Sequence, residues 1–557
     1  MRQIKKLIKC SATLLCVVVL DSCTKNFEEK NTDPTLLSEA LVTPELLLTN
    51  VQINAGNGLY FEYAEVYSGM TVRTDIGPFT DFFYDNPWTA TYTALTNNLA
   101  AIIRKTSDDP ELVNHYAVAR IMKAWIFSQC TDIYGDIPYF DANKAPIEAV
   151  THPTYDSQKA IYENLFIELK EAAAQLDAGK ASYGNADLIY HGDISRWKKF
   201  ANSLRLRLAL RVRYADAELA KANMSDLTEA DLITTTADQA LFFTSDDMAS
   251  HFNTEYQWLL NYGTDPNSKT NLVAKTILDI LTNGSSHDPI DPRTKIIADT
   301  AYATWPPTLD PPLPYFGYRG MPLFGSTPIE NRYPYGFASI STRSDFWYVP
   351  VIERPILRAS EVYFALSEAA LFNLLSGDAD AYFKKGLEVS VKELQDFYDR
   401  TKGQLAKVEA KFRPDWTDAD INNYIAHKEI TQTEVDDFLA SPIADLTGSD
   451  EEKLEQIINQ KLIGLFFNGE EGWSEWRRTG YPRILVPDDG GTPLKGVSIR
   501  RGHYPASEGL VNSAKHKDAI NNMGGKDDLL GRVWWDANPA APHEHTGTVE
   551  WRATPWQ

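Results

Sequence analysis

The sequence predicts a mostly α-helical body, and three observations carry that reading. In Ser195–Tyr214 the apolar residues Trp197, Phe200, Leu204, Leu208 and Val212 recur three or four positions apart, with Arg205, Arg207, Arg211 and Arg213 on other faces. Ser360–Leu375 and Ala379–Tyr398 are likewise patterned as helices and meet at Ser376-Gly377-Asp378, a short helix-to-helix connection. Strand signals are few and short, as around Ile499. The length alone permits about two to four domains. No Gly/Ser-rich or charged linker divides the chain, so residues 39–557 read as one continuous domain.

The chain opens with MRQIKKLIKCSATLLCVVVLDSC, in which Arg2, Lys5, Lys6 and Lys9 precede an apolar run from Cys10 to Leu20. Basic residues followed by a short apolar run form a secretory signal peptide. A run of 11 residues is too short for a spanning helix, which needs about 20. Leu20-Asp21-Ser22-Cys23 resembles the bacterial lipobox, with Asp21 departing from the small residue expected there. Residues 1–22 are therefore read as the signal and Cys23 as the lipidated first residue of the mature chain. The alternative is an ordinary cleaved signal beside a chance cysteine. Residues 23–38 form a polar tether, in which Glu28-Glu29 looks like the surface-export signal of Bacteroidetes lipoproteins or is simply a solvated pair.

Along the body, Ala117–Cys130 has a helical pattern and runs into Thr131-Asp132-Ile133-Tyr134-Gly135-Asp136-Ile137-Pro138-Tyr139, where Gly135 and Pro138 stop it. Tyr155–Leu176 is a further amphipathic helix, and Asp193 or Ser195 caps the arginine-rich one. The hairpin at residues 360–398 resembles a tetratricopeptide repeat, with Ala365, Ala369 and Ala370 permitting close helix approach. Glu451–Phe467 closes the helical set.

Charge and cysteines exclude whole classes of function. The net charge of −22 becomes −25 once residues 1–22, four basic and one acidic, are removed. Such a surface repels phosphate backbones, so nucleic acid is not a partner. Cysteines stand at 10, 16, 23 and 130. Two leave with the signal and one carries lipid, so Cys130 has no partner for an intramolecular disulfide and reads as a small buried hydrophobe.

Four segments together resemble the SusD/RagB nutrient-binding lipoproteins of Bacteroidetes. They are the lipobox with Asn26-Phe27-Glu28-Glu29-Lys30-Asn31-Thr32-Asp33-Pro34, then Thr131–Tyr139, then Arg196-Trp197-Lys198-Lys199-Phe200-Ala201-Asn202-Ser203-Leu204-Arg205-Leu206-Arg207. The fourth joins Asn468-Gly469 to Trp473-Ser474-Glu475-Trp476-Arg477-Arg478-Thr479-Gly480-Tyr481-Pro482. They span nearly the whole chain in family order. The resemblance implies a scaffold of four tetratricopeptide-like helix pairs with loop-rich insertions carrying the ligand site. It also implies a TonB-dependent outer-membrane barrel as partner, over which the protein sits as a lid facing the cell exterior. The ligand is expected to be an oligosaccharide, with a peptide as the alternative within the family.

The shared motifs read as scaffold. Tyr134-Gly135-Asp136-Ile137-Pro138 has turn chemistry, with Asp136 bonding backbone amides. Trp473 and Trp476, three apart on a helix, read as packing. For Arg477 and Arg478 the default is solvated charge, the alternatives being pairing with acidic neighbours or a barrel-facing surface.

The ligand site is expected in residues 301–350, a loop-rich insertion with 12 aromatic and nine proline residues. Proline interrupts helix and central strand, and irregular backbone lies near the surface. Trp305, Tyr315, Tyr318 and Trp347 are therefore candidate platforms for the apolar face of a sugar ring. The alternative is that the insertion's rings form its own small core. Arg73 and Trp88 are added because their region resembles the family segment that gives an arginine and a tryptophan to glycan contacts.

No catalytic or cofactor pattern emerges: there is no HExxH, GxSxG, phosphate-binding loop or cysteine-rich metal spacing. His543-Glu544-His545 reads as a solvated loop, so neither cofactor nor metal is expected. A glycoside hydrolase remains a remote alternative, since distant carboxylates can meet in a fold.

Overall fold

The computed structural model describes residues 42–59, 62–72, 85–144, 148–247, 251–257, 272–283, 285, 289–301, 317–321, 341–412, 416–484 and 499–541. Helix dominates these residues. Numbering the α-helices of eight residues or more, α1 is Pro44–Gly58, α2 Thr96–Thr106, α3 Val113–Tyr134, α4 Gln158–Gln175, α5 Ile194–Val212 and α6 Lys275–Thr282. In the second half, α7 is Ala359–Leu371, α8 Ala379–Phe412, α9 Asp418–Lys428, α10 Gln432–Leu439, α11 Asp450–Gly464, α12 Gly469–Thr479 and α13 Ser513–Asn522.

Local chemistry sets the helix ends. The Thr43 hydroxyl accepts from the Leu46 amide at the start of α1, Ser157 caps α4, and Asp193 accepts from the amides of Ser195 and Arg196 to start α5. Ser449 and Glu452 form a reciprocal capping box on α11. At the other end, α3 stops on Gly135, whose φ of +84° is open to glycine. Asp136 then accepts from the Gln158 amide at 2.8 Å, as a turn carboxylate should.

Successive helices pack in a chain of neighbours: α1 on α2, α2 on α3, α3 on α4, α4 on α5, α5 on α7, and α7 on both α8 and α11. This is the stacked helix-pair logic of a tetratricopeptide-like scaffold. Ala365 and Ala369 are buried where α7 meets its partners. Gly386 matters most there, since a Cβ on it would lie 2.8 Å from the Phe364 ring.

The strands are short and pair antiparallel: β1 (Thr71–Val72) with β5 (Leu272–Val273), β2 (Ile137–Pro138) with β3 (Tyr155–Asp156), and β4 (Ala240–Phe243) with β6 (Glu353–Leu357). The expected strand around Ile499 is not one. That residue is buried irregular backbone whose carbonyl accepts from the Trp473 indole at 2.9 Å. Two large apolar clusters fill the interior, one around α1 to α5 and the C-terminal segment, the other around α6, α8 and α11. Cys130 is fully buried in the first, where burial pushes its thiol up to about 12 and leaves it inert.

The arginines of α5 are the main departure from sequence expectation. Arg205, Arg207 and Arg211 are all buried. So are Arg477 and Arg478, which overturns their reading as solvated charge. Helices cover α5 on several sides, and each guanidinium is held by polar groups rather than water.

Candidate ligand-binding site

Three of the four shared segments converge on one buried lattice; the first, through Pro34, lies outside the described residues. From α5, Arg207 forks onto Glu361 of α7 at 2.6 and 2.7 Å. One turn on, Arg211 bridges Asp132 of α3 at 2.5 Å and Glu471 of α12 at 2.6 Å. Arg478 of α12 forks onto Glu368 of α7 at 2.5 and 2.7 Å and reaches Glu475 at 2.5 Å. Arg477 donates to the carbonyls of Asp132 and Arg500 and lies 3.7 Å above the Trp473 ring. Asp132 also accepts from the indole of Trp535 at 2.8 Å and from the Tyr162 hydroxyl.

Burial alone would raise the Glu471 carboxyl, but Arg211 and Arg207 outweigh it and hold the group below the usual carboxylate range. The same balance, with Arg478 and Lys461, lowers Glu475. A lattice this sealed offers no face to a ligand. Trp473 and Trp476, both buried, are packing residues here.

A patch of short bridges lies elsewhere. Besides the β1–β5 pair, Leu272 bridges Thr342, Ala274 bridges Met321 and Ala298 bridges Arg343. The amide of Ala301 donates to the Gly317 carbonyl at 2.8 Å, and that of Ser341 to the Arg319 carbonyl at 2.7 Å. Gly320 crosses Lys275 backbone to backbone; a Cβ there would sit 2.4 Å from the Lys275 Cα. The described ends flanking residues 302–316 and 322–340, with Val72 before residue 73 and Leu272 after residue 271, are thus fastened to one another. This patch brings together the roots of the segments that hold Arg73, Trp305 and Tyr315.

Those three residues lie outside the described residues, as do Cys23 and His543-Glu544-His545. Tyr318 is buried at the patch. Trp347 is 0% exposed. It sits in the turn Asp345–Tyr348, stacks between Phe397 and Phe467 at 4.2 and 4.4 Å, and donates its indole N–H to the Ile296 carbonyl at 2.9 Å. Both ring faces are covered, so Trp347 is a core residue and not a platform. Trp88 is also buried, among Tyr92, Tyr134, Tyr155 and Tyr504 with centroids 4.9 to 6.0 Å away.

A cleft that sequence reasoning missed, about 60 Å³ in volume, opens between α1, α3, the β4–β6 pair and the start of α12. Trp125 and Gln129 stand one turn apart on α3, facing Phe242, Arg354, Phe467 and Glu470. Rings with a few polar groups suit a small polar ring compound. An amide one turn from a tryptophan within α3 is the signal the sequence carries for it. Among the described residues no group of three or more His, Cys, Asp and Glu could hold a metal ion.

Stacked helix pairs with aromatic-rich segments rooted in one patch define a helical-repeat binding protein. Residues 25–505 match the profile of the SusD-like family, described as starch-binding and associating with the outer membrane, and the chain belongs to that family. It is similar in structure to a chitin-binding protein at 26% identity and TM-score 0.70, over 89% of this chain and 100% of the other. A SusD homologue from Bacteroides fragilis aligns at 22% identity and TM-score 0.69, over 89% of this chain and all of the other. A chitin-binding SusD homologue from Flavobacterium johnsoniae aligns at 23% identity and TM-score 0.65, over 88% and 97% of the two chains. No curated protein sequence matches the chain.

Proposed function

We propose that this protein is a surface lipoprotein that captures an oligosaccharide and delivers it to a TonB-dependent outer-membrane barrel without turning it over. Family membership over residues 25–505 is the observation that carries this reading. The likeness to a chitin-binding protein at 26% identity supports a carbohydrate as ligand. The contact surface is assigned to Arg73, Trp305 and Tyr315, whose segments are rooted in the patch around Val72 and Thr342. The rings of Trp305 and Tyr315 would cover the apolar face of a sugar while Arg73 and neighbouring polar groups bond its hydroxyls.

Binding without chemistry rests on membership of a family described as starch-binding.

In this reading residues 1–22 are removed, Cys23 is acylated, residues 24–38 are a tether, and residues 39–557 form one domain. Each buried methylene contributes about 0.8 kcal/mol, so two or more acyl chains hold the protein stably. Labelled palmitate should enter the wild type and not Cys23→Ser, and protease added to intact cells should reach the protein. Incorporation into the serine variant, or protection from protease, would remove the anchor or its outward orientation.

A glycan array probed with Cys23→Ser tests the ligand. An oligosaccharide should be retained and no sugar released. Retention of peptides alone, or release of sugars above about 1 per second, overturns the proposal.

A further inference from the structure

The cavity between α2 and α3 has an electrostatic character at odds with the rest of the chain. Its volume is about 190 Å³, and three cations line it: Arg104 of α2, Lys123 of α3 and Lys144 of the following loop. In a protein of net charge −22, cations usually find carboxylates. Here Arg104 makes no ion pair or hydrogen bond to a described residue. Lys123 has no carboxylate oxygen within reach among the described residues, and its ammonium lies 5.2 Å from the Tyr139 ring centre. Lys144 is held only by long contacts of 3.6 and 3.7 Å to Asp141 and Glu148. Phe127 and Tyr139 supply an apolar wall.

We infer that this cavity is a second ligand site, built for a small ring compound carrying an oxyanion, with an acidic sugar such as a uronate or a sulfated hexose as its class. Lys123 and Arg104 would grip the oxyanion by charge-assisted hydrogen bonds while the ring lies against the partly exposed Ala100, Ile103 and Ala142 that also line the cavity. Burial pushes the Lys123 ammonium down from its usual range, with Glu168 opposing and Arg120 adding to the shift. An anion in the cavity would relieve that cost. The site shares no residue with the aromatic-rich segments and stands whether or not they bind glycan.

The test is calorimetric titration of the Cys23→Ser protein with glucuronate, glucose 6-sulfate, glucose and inorganic sulfate. Glucuronate or glucose 6-sulfate should bind, more weakly as salt rises, and glucose should bind about tenfold less tightly or not at all. Which acidic sugar binds identifies carboxylate or sulfate as the recognised group. Arg104→Gln and Lys123→Met should each weaken binding about tenfold, whereas Lys170→Gln, removing a charge from α4, should not. Arg104 is exposed, so Arg104→Gln keeps the fold and decides the matter even where Lys123→Met unfolds. Glucose binding as well as the acids, inorganic sulfate binding as tightly as the sugars, failure of both acids to bind, or full affinity in Arg104→Gln would each overturn the inference.

Discussion

The interior around α5 and the patch around Val72 and Thr342 use polar groups in opposite ways. Around α5, charged side chains from residues as far apart as Asp132 and Glu471 lock four helices together, and nothing remains for a ligand. At the patch, among the described residues, the links between strand ends are mostly backbone amides and carbonyls, with the Arg319 amide donating to the Ser341 hydroxyl at 2.9 Å. Asp132, Arg207, Arg477 and Arg478, all from the motifs shared with the family, sit in the first region, and the segments that hold Arg73, Trp305 and Tyr315 start from the second. In the proposed function the first region supplies architecture and the second carries recognition.

Removing one member of the lattice is the strongest way to break this contrast. Arg211→Met leaves Asp132 and Glu471 without their main counter-ion in a dry interior. Breaking such a pair costs about 3–5 kcal/mol, to be measured by denaturant unfolding. A loss below about 1 kcal/mol would show that water reaches the lattice. Trp347→Ala belongs to the same side, since it empties a stacked core position and should cost about 3–5 kcal/mol. Under conditions where that variant stays folded, its glycan affinity should match the wild type.

The order of legibility follows from these contacts. Spacing of three and four revealed the helices, and the stop at Gly135 was readable because a positive φ calls for glycine. The burial of Trp473 and Trp476 followed from their helical spacing. The burial of Arg207, Arg211 and Arg478 did not, because a sequence displays a charge and not the carboxylate it will meet more than 100 positions away. Trp347 misled for a related reason. Prolines foretell irregular backbone near the surface, yet a short turn can still direct its rings inward, and Phe397 on α8 with Phe467 in the turn after α11 settles the matter. The helix α8 outran its expected end at Tyr398 and continues to Phe412, because no glycine or proline breaks the segment between them except Gly403, which a helix tolerates.

A smaller effect comes from Glu393 of α8, which is buried and accepts from the amide and hydroxyl of Ser360 at 3.0 and 2.6 Å. Burial raises its carboxyl to about 7, with Arg358, 4.0 Å away, only partly opposing. The unfolded value is about 4.3. A folded value above the unfolded one means that the native state holds the proton more tightly. The stabilisation is therefore full below about pH 4.3 and is lost as pH rises toward 7. Glu471 and Glu475 are lowered and stay ionised across this window, so they add no slope. Between pH 5 and 8 the wild type should lose about 1–3 kcal/mol of stability that Glu393→Gln does not lose. Parallel pH profiles for the two proteins would show that Glu393 is ionised throughout.

The smallest expected effect on stability falls on the other side of the comparison. Trp305 belongs to a segment rooted at the Ala301–Gly317 hydrogen bond, and that root is made by backbone atoms alone. In the proposed function its ring faces the ligand and not the core. The unfolding free energy should then change by less than about 0.5 kcal/mol, the usual scale for exposed positions. Glycan affinity should fall by about 1–3 kcal/mol, a scale taken from the stacking of nucleic-acid bases on aromatic side chains. The two quantities separate the possibilities because a core ring and a platform ring move them in opposite proportion. A Trp305→Ala protein that loses several kcal/mol of stability and keeps its ligand would place that ring with Trp347, and the insertion's aromatics would then be a second small core rather than a binding surface.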